Sequence, residues 1–219
     1  MNKIKDSLLF QIKQIVFGVQ DGLVTTVILT TTLASVSNNS ILIISAITAG
    51  IGGAISMATG TYLGAKSQKD VLKVKANSAE ERALLIIKEE FRGKGVKEND
   101  IKNFSSLFSK YPEIEKELAS NIALGVDLNR APSPITDATF MGVSFLIGAI
   151  IPSLPYIILG ESFTTIVISV ILVAATLFAI GTFKTVEKGE SKTKNGFEIM
   201  LIGMVAAILG FLIGKIANG

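Results

Sequence analysis

Long apolar runs, separated by short polar segments, are the dominant pattern along this chain. A helix needs about 20 mostly apolar residues to cross roughly 30 Å of hydrocarbon. Five runs reach or approach that length, and they lie at about residues 14–36, 41–65, 138–151 with an extension towards 156, 163–183 and 197–213. The pattern therefore predicts an all-α membrane protein with five transmembrane helices.

Charged residues concentrate between the second and third apolar runs. Of the 21 basic and 18 acidic residues in the chain, 24 in total lie between Lys66 and Arg130. Amphipathic spacing there predicts three short helices, which begin at a Ser78–Glu81 capping box, at about Glu98 and at Pro112. The predicted domains are 1–76 with transmembrane helices 1 and 2, 77–130 as a helical insert, and 131–219 with transmembrane helices 3 to 5.

The amino-acid composition excludes several classes of function. The chain contains no Cys and no His, which excludes a disulfide framework, a thiolate nucleophile, a Cys-type zinc site and the usual general base at neutral pH. No nucleophile–base pair or phosphate-binding loop is recognisable, so we expect no enzymatic activity and no cofactor. The net charge of +3 is mild, and the Lys residues are not interleaved with aromatic residues, so we expect no nucleic-acid partner.

The distribution of Lys residues predicts the orientation of the helices. Basic residues occur at the N-terminus, in the insert and in the loop 184–194, whereas the first loop has none and the turn before the fourth run carries only Glu161. Because cytoplasmic loops carry the excess of Lys and Arg, the N-terminus and the insert are expected in the cytoplasm. The membrane would be the plasma membrane in a prokaryote and a vacuolar-type membrane in a eukaryote.

Asp21 is the one ionisable residue in the first apolar run. A carboxylate inside a span costs about 2.5–3.5 kcal/mol on insertion scales, and it usually faces a protein interior or an ion path. A ligating carboxylate must be deprotonated, so a metal ion and a proton would compete for Asp21. The alternative is that Asp21 lies near enough to the interface to be hydrated and pairs with Lys13.

Met57 lies in the second apolar run among small residues that allow helices to approach closely, including Gly60 and Gly64 and the pair at 49 and 53. A Met in an apolar helix most often fills space. Its thioether is also a soft ligand, and beside a carboxylate it would favour a transition metal over Mg²⁺ or Ca²⁺. Asp21 and Met57 are therefore the candidate metal ligands within the membrane.

Acidic residues of the insert form a second candidate site. Glu81 and Glu90 could belong to a cation-collecting face, together with the insert carboxylates at 80, 89, 113, 115 and 117. The alternative explains Glu81 by helix capping and most of the others as a solvated helix surface. Both interpretations stay open on the sequence.

Three motifs resemble those of the vacuolar iron transporter family. They are Gly18–Leu23 (GVQDGL), Ile55–Leu63 (ISMATGTYL) followed by Ser67–Asp70 (SQKD), and Pro152–Tyr156 (PSLPY), which is expected to form the turn between the third and fourth helices. The resemblance extends over nearly the whole chain. The first two motifs together are specific, whereas the third alone is weak.

The resemblance implies a homodimeric transporter that moves Fe²⁺, and often Mn²⁺, out of the cytoplasm in exchange for protons. In that family the first two transmembrane helices line a path at the dimer axis. The Asp and the Met that match Asp21 and Met57 contact the ion there. Fe²⁺ or Mn²⁺ would then be the substrate, and the expected partners are a second copy of the chain, the lipid bilayer and protons.

The chain departs from the family pattern at several metal-binding positions. Many relatives carry a Glu in the second span, where this chain has Thr48-Ala49-Gly50 at one place and Thr61 at another. Metal ligands of the relatives' third insert helix align with Ala119, Ser120 and Ala123. We therefore expect the insert to have lost part or all of its metal-collecting role.

Two further functions stay open because of these departures. The same fold could transport a different substrate. Alternatively, the chain could be a non-transporting membrane scaffold whose insert binds a cytoplasmic partner.

Overall fold

Seven helices make up the regular secondary structure of the part of the chain that the structure describes. The computed structural model describes residues 2–35, 38–77, 79–111, 133–184 and 191–218. Its helices are α1 (Asn2–Leu33), α2 (Asn39–Asn77), α3 (Ala79–Gly93), α4 (Glu98–Ser109), α5 (Pro134–Leu159), α6 (Phe163–Lys184) and α7 (Lys192–Asn218). These described residues contain no strand, so the predicted all-α fold class is confirmed.

Five of these helices are long and apolar enough to cross a bilayer, which confirms the predicted number of transmembrane helices. The spanning segments are Gln11–Leu33, Asn39–Leu72, Pro134–Leu159, Phe163–Phe183 and Lys192–Ala217. α5 extends beyond both ends of the predicted third run. It begins at Pro134, a residue suited to the first helical position because no amide is lost there.

α2 is the longest helix and continues well past its apolar part. Its 39 residues rise about 1.5 Å each, which gives a length of about 58 Å. The chain forms two compact units, a membrane unit (Met1–Tyr62 and Ile135–Gly219) and an insert unit (Leu63–Pro134). α2 contributes residues to both units.

The third spanning helix contains two prolines near its end. Pro152 and Pro155 lie inside α5, so the expectation that their motif forms the interhelical turn is wrong. The turn follows at Gly160, whose φ of 71° is a conformation that glycine adopts readily. Prolines are tolerated within membrane helices where neighbouring groups satisfy the freed carbonyls. The carbonyls freed by the two prolines are those four residues earlier, Gly148 and Ile151, whereas the Ser169 hydroxyl of α6 donates to the Pro152 carbonyl at 2.8 Å and so joins α6 to α5.

The core of the membrane unit forms where α1, α6 and α7 meet. Phe178 packs edge-to-face on Phe197, with ring centroids 5.1 Å apart. The Thr31 hydroxyl donates to the Val27 carbonyl of its own helix at 2.7 Å and also lies 3.3 Å from the Ala207 carbonyl of α7, so it is a polar contact between the two helices. The buried apolar residues shared by the three helices are Leu23, Val27, Val173, Leu177, Ile199 and Ala207.

In the insert unit, α3 and α4 pack through Phe91 and Phe104, whose rings meet edge-to-face with centroids 5.4 Å apart. Arg92 at the end of α3 forms an ion pair with Glu98 at the start of α4, with 2.7 Å between Nη2 and Oε1. The hydrogen bond from this guanidinium lowers the pKa of Glu98 below its ordinary value. Ser78 and the predicted third insert helix, from Pro112, lie outside the described residues.

Candidate functional site

Two glycines hold the Asp21 segment of α1 close to α5. A Cβ at Gly18 would lie 2.7 Å from the Met141 carbonyl oxygen, and a Cβ at Gly22 would overlap the Phe145 carbonyl oxygen. Small residues of this kind allow helix backbones to approach closely within membranes. Asp21 lies between the two glycines in sequence, beside this contact, and is half-buried.

The position of Asp21 agrees with an acid inside the membrane. It lies ten residues beyond Gln11, the first residue of its spanning segment, which is about 15 Å along the helix. That is roughly half of the 30 Å hydrocarbon thickness. Lys13 is exposed, and none of the ion pairs among the described residues involves Lys13 or Asp21. The alternative pairing of these two residues therefore does not occur.

Met57 is half-buried on α2 and packs against a small cluster formed by Ala54, Phe145 and Ala149. The Phe145 ring can reach α2 because Gly53 has no side chain, and a Cβ there would overlap the ring. The thioether of Met57 therefore lies beside the segment of α5 that also contacts α1.

Phe145 relates the two candidate ligands to each other. Its carbonyl lies against Gly22, the residue that follows Asp21, and its ring lies against α2 one turn before Met57. The carboxylate and the thioether are thus carried by two helices that pack on the same residue of α5. Among the described residues, no group of three or more His, Cys, Asp or Glu is placed to hold a metal ion.

A ridge of small residues follows the outer face of α2. We call Gly52, Ser56 and Gly60 the small-residue ridge, since they recur every four residues and all are exposed. A Cβ at Gly52 or Gly60 would meet nothing within 4 Å. Gly53, in contrast, faces α5. Small residues at this spacing are the surface through which membrane helices associate.

The insert carboxylates have different surroundings. Glu90 is exposed and forms an ion pair of 2.9 Å with Lys94, four residues later on α3. Glu81 also belongs to α3, but its side chain lies outside the described residues. Metal binding by Glu81 and Glu90 stays a prediction. The aligned positions of the third insert helix, which also lie outside the described residues, are Ala119, Ser120 and Ala123.

A buried acid that the sequence analysis did not single out lies at the beginning of α5. Asp137 is 7% exposed, and its Oδ1 accepts a hydrogen bond of 3.0 Å from the side-chain amide of Gln11, which is 3% exposed. An Asp in the first turn of a helix is stabilised there by the helix dipole. Its position in the sequence is therefore ordinary and does not indicate that the side chain is buried. Its partner is 126 positions away, and no periodicity connects them.

Five spanning helices and an acid halfway along the first define this chain as a multi-pass membrane protein with a candidate ion-binding position inside the bilayer. A profile of the VIT family matches residues 12–215, so the chain belongs to that family. Members of the family are transporters, which confirms the prediction of no enzymatic activity.

Curated relatives match nearly the whole chain. Vacuolar iron transporter 1 of Arabidopsis thaliana is 24% identical over 215 residues, which cover 94% of this chain and 86% of the relative. Protein CCC1 of Saccharomyces cerevisiae is 30% identical over 216 residues, covering 90% of this chain and 66% of that protein. The vacuolar iron transporter of Centaurea cyanus is 25% identical, with 93% and 86% covered. The resemblance inferred from the three motifs is therefore confirmed.

Proposed function

We propose that this protein is a homodimeric transporter that exports Fe²⁺, and also Mn²⁺, from the cytoplasm in exchange for protons. The observation that carries the proposal is the half-buried Asp21, midway along a spanning helix of a VIT-family chain. Ionisable residues at such depth usually mark ion pathways. The relatives named as vacuolar iron transporters support iron as the substrate.

The chemistry of the two candidate ligands supports a transition metal. A carboxylate binds most divalent cations, whereas a thioether is a soft ligand that contributes little to Mg²⁺ or Ca²⁺. Asp21 and Met57 together would therefore favour Fe²⁺ over these abundant hard cations. The chain has no Cys, so no thiolate, the softer sulfur ligand, is available besides thioethers such as that of Met57.

A second copy of the chain would complete the set of ligands. One Asp and one Met are too few for an ion that prefers four to six donors, and two copies related by a twofold axis would supply four. The small-residue ridge on α2 is exposed, and it lies on the same helix as Met57. Association of two such ridges would bring both copies of α2 together.

Proton exchange follows from the same carboxylate. Asp21 must lose its proton to bind a metal and regains it when the metal leaves. A cycle in which the metal leaves on one side and the proton on the other would couple the two flows. The Lys distribution supports a cytoplasmic N-terminus and insert, and export is the direction that a vacuolar-type transporter would serve.

The proposal is tested by flux into proteoliposomes under anaerobic conditions. Fe²⁺ uptake is followed by quenching of an enclosed metal-sensitive dye, and proton movement by an enclosed pH dye. Asp21→Asn should lower the initial Fe²⁺ rate and the coupled proton flux by at least about tenfold, the equivalent of 1.4 kcal/mol in binding. Met57→Leu should reduce Fe²⁺ flux more than it changes any flux of Mg²⁺, since it removes the soft donor at nearly constant volume.

The matched control is Glu161→Gln, which removes a carboxylate from the exposed turn before α6. It should leave the rate within about twofold of the unmodified protein, as for other surface substitutions. Unchanged Fe²⁺ flux in Asp21→Asn would contradict the mechanism. Absence of metal flux in the unmodified protein would favour one of the two other functions left open by the sequence.

A further inference from the structure

A groove with both charged and apolar side chains lies near the start of α7. Its volume is about 610 Å³, and it is lined by Lys194, Phe197, Glu198 and Leu201. That volume is comparable to the roughly 300–1,000 Å³ of sites that bind small molecules. The four residues recur at intervals of three and four along α7, so they follow one side of the helix. One helix surface therefore presents an ammonium, a carboxylate, an aromatic ring and an aliphatic group together.

Phe197 anchors this groove to the neighbouring helix. Its ring packs edge-to-face on Phe178 of α6, with the centroids 5.1 Å apart, and 54% of the residue stays exposed. Gly196 allows this contact, because a Cβ there would lie 2.8 Å from the Phe178 ring. The aromatic wall of the groove is thus held by the packing of α7 on α6.

The two charges in the groove have no ionic partner in the described part of the chain. Lys194 and Glu198 are both exposed, and neither belongs to the ion pairs found there. They are four residues apart with the Lys first, which is the less favourable order for pairing along a helix. Ionisable residues within a membrane segment are rare and usually paired. Both groups are therefore available to a charged molecule outside the protomer.

The groove lies where α7 passes through the headgroup layer. The spanning segment of α7 begins at Lys192. Lys194 and Glu198 are separated by about 6 Å along the helix axis, which fits within a headgroup layer of roughly 5–8 Å on each side of the hydrocarbon. The exposed apolar residues that continue this side of α7 are Leu201, Val205, Ile208 and Leu212. The surface thus changes from charged to apolar as a phospholipid does.

The pair of opposite charges selects among phospholipid headgroups. Phosphatidylethanolamine has a phosphate that can accept from Lys194 and a primary ammonium that can donate to Glu198. The quaternary ammonium of phosphatidylcholine has no N–H to donate. Phosphatidylglycerol has a phosphate but no cation, so the carboxylate of Glu198 would repel it. Specificity of this kind combines an attractive contact for one ligand with an unfavourable contact for the others.

We propose that the groove at the start of α7 is a binding site for phosphatidylethanolamine. Lys194 binds the phosphate, Glu198 binds the ammonium, and an acyl chain lies along Leu201 and Val205. The site is independent of the proposed transport function, since it uses neither Asp21 nor Met57.

The test uses lipids with brominated acyl chains, which quench Trp fluorescence on contact. The chain has no Trp, so Val205→Trp introduces a single reporter at an exposed position one turn beyond the groove. The full chain is reconstituted in phosphatidylcholine vesicles that contain a small fraction of one brominated lipid. Exposed ion pairs are weak, so two of them should make brominated phosphatidylethanolamine about threefold to tenfold more effective than brominated phosphatidylcholine.

Substitutions in the reporter background identify the groups responsible. Glu198→Gln should abolish the preference for brominated phosphatidylethanolamine over brominated phosphatidylcholine and increase quenching by brominated phosphatidylglycerol. Lys194→Met keeps the apolar stem and should reduce quenching by brominated phosphatidylethanolamine. Lys215→Met is the matched control, since it removes an exposed Lys from the other end of the same helix. It should leave all three lipids unchanged.

A second reporter shows whether the preference is local. Ile171→Trp, exposed on α6, should be quenched equally by the three brominated lipids. The site would be refuted by equal quenching of Val205→Trp by brominated phosphatidylethanolamine and phosphatidylcholine, or by a preference that persists in Glu198→Gln. Stronger quenching by brominated phosphatidylglycerol would also refute it and indicate a basic surface that attracts any anionic lipid. Each of these results leaves the Fe²⁺ flux experiment unaffected.

Discussion

At the scale of single residues, glycines determine how the candidate ligands are placed. Gly18 and Gly22 permit contact of α1 with the backbone of α5, and Gly53 permits contact of α2 with the Phe145 ring. The glycines of the small-residue ridge have open space around them instead. Glycines therefore allow close packing inside the protein at some positions and leave an exposed helix surface at others. The sequence alone does not show which glycines belong to which group.

Gly22→Ala should destabilise the membrane unit, because its Cβ would overlap the Phe145 carbonyl oxygen. Overpacking of this kind typically costs about 1–3 kcal/mol, and backbone cannot rotate away as a side chain would. The measurement is thermal unfolding of the protein in detergent. Gly93→Ala is the control, since its Cβ meets nothing within 4 Å and it lies outside the small-residue ridge, and it should be neutral or slightly stabilising. Equal melting temperatures of the two variants would contradict this packing.

Asp21 could be recognised from the sequence, whereas Asp137 could not. A charge inside an uninterrupted apolar run is conspicuous because the bilayer penalises it. Asp137 stands beside the start of its run, where carboxylates are common and favourable. Its burial arises from Gln11, on a helix distant in sequence, and only the packing of α1 on α5 brings the two together.

At the scale of the helices, α5 shows how a proline motif can be misread. The turn was expected at Pro152–Tyr156 because that segment resembles a motif that the family places between the third and fourth spans. Within the membrane unit, α5 continues through both prolines to Leu159, and the Ser169 hydroxyl of α6 donates to the Pro152 carbonyl. Because membrane helices tolerate proline where their surroundings compensate for it, the motif alone does not show where the helix ends.

Ser169→Ala should destabilise the packing of α5 on α6, since it removes a buried interhelical hydrogen bond of 2.8 Å. Interhelical hydrogen bonds within membranes contribute about 0.6–2 kcal/mol. The matched control is Thr176→Ala, whose exposed hydroxyl bonds to a carbonyl of its own helix. Unfolding in a graded mixture of mild detergent and dodecyl sulfate would compare the two. A larger effect at Thr176 than at Ser169 would argue against the bridging role.

The connection between α3 and α4 predicts a pH dependence in the insert unit. The Arg92 guanidinium lowers the pKa of Glu98 from its ordinary value of 4.5. The stabilisation that this ion pair provides is therefore complete above the ordinary pKa and is lost as the pH falls through the lowered pKa. Arg92→Met should raise the pKa of Glu98 towards 4.5, as measured by the carboxyl ¹³C chemical shift during an acid titration. An identical titration in both proteins would exclude the coupling.

At the scale of the whole molecule, the five spanning helices could be predicted because the bilayer imposes their length and apolarity. Helix association could not be predicted to the same degree. The buried cluster of Leu23, Val173 and Ile199 joins α1 to the last two helices, which are distant from it in sequence, and hydropathy does not show which helices pack together.

The small-residue ridge predicts the geometry of the proposed dimer. The chain has no Cys, so Ser56→Cys introduces a single thiol on the ridge. Under oxidation it should form a disulfide-linked dimer in the membrane, because a disulfide needs Cα atoms about 4.4–6.8 Å apart. Ile47→Cys, exposed on the same helix but off the ridge, should not. Efficient cross-linking only at position 47 would place the dimer contact elsewhere.

The proposed orientation can be tested in the same Cys-free background. Ser191→Cys precedes α7 and Glu161→Cys precedes α6, and both positions are exposed. Because α6 lies between them and spans the membrane, an impermeant maleimide should label only one of them in intact cells. The positive-inside distribution predicts that it labels position 161. Labelling of position 191 alone would invert the topology and the direction of export.

Phe145 has a mechanical consequence for any transport cycle. Its carbonyl is pressed against α1 and its ring against α2, and a single backbone carries both contacts. If α5 slides or tilts relative to one of these helices, it must either move the other helix with it or lose its contact with that helix. If transport requires α1 and α2 to move relative to α5, the movements of these two helices would therefore be coupled through Phe145. This residue would contribute through its packing and not as a metal ligand.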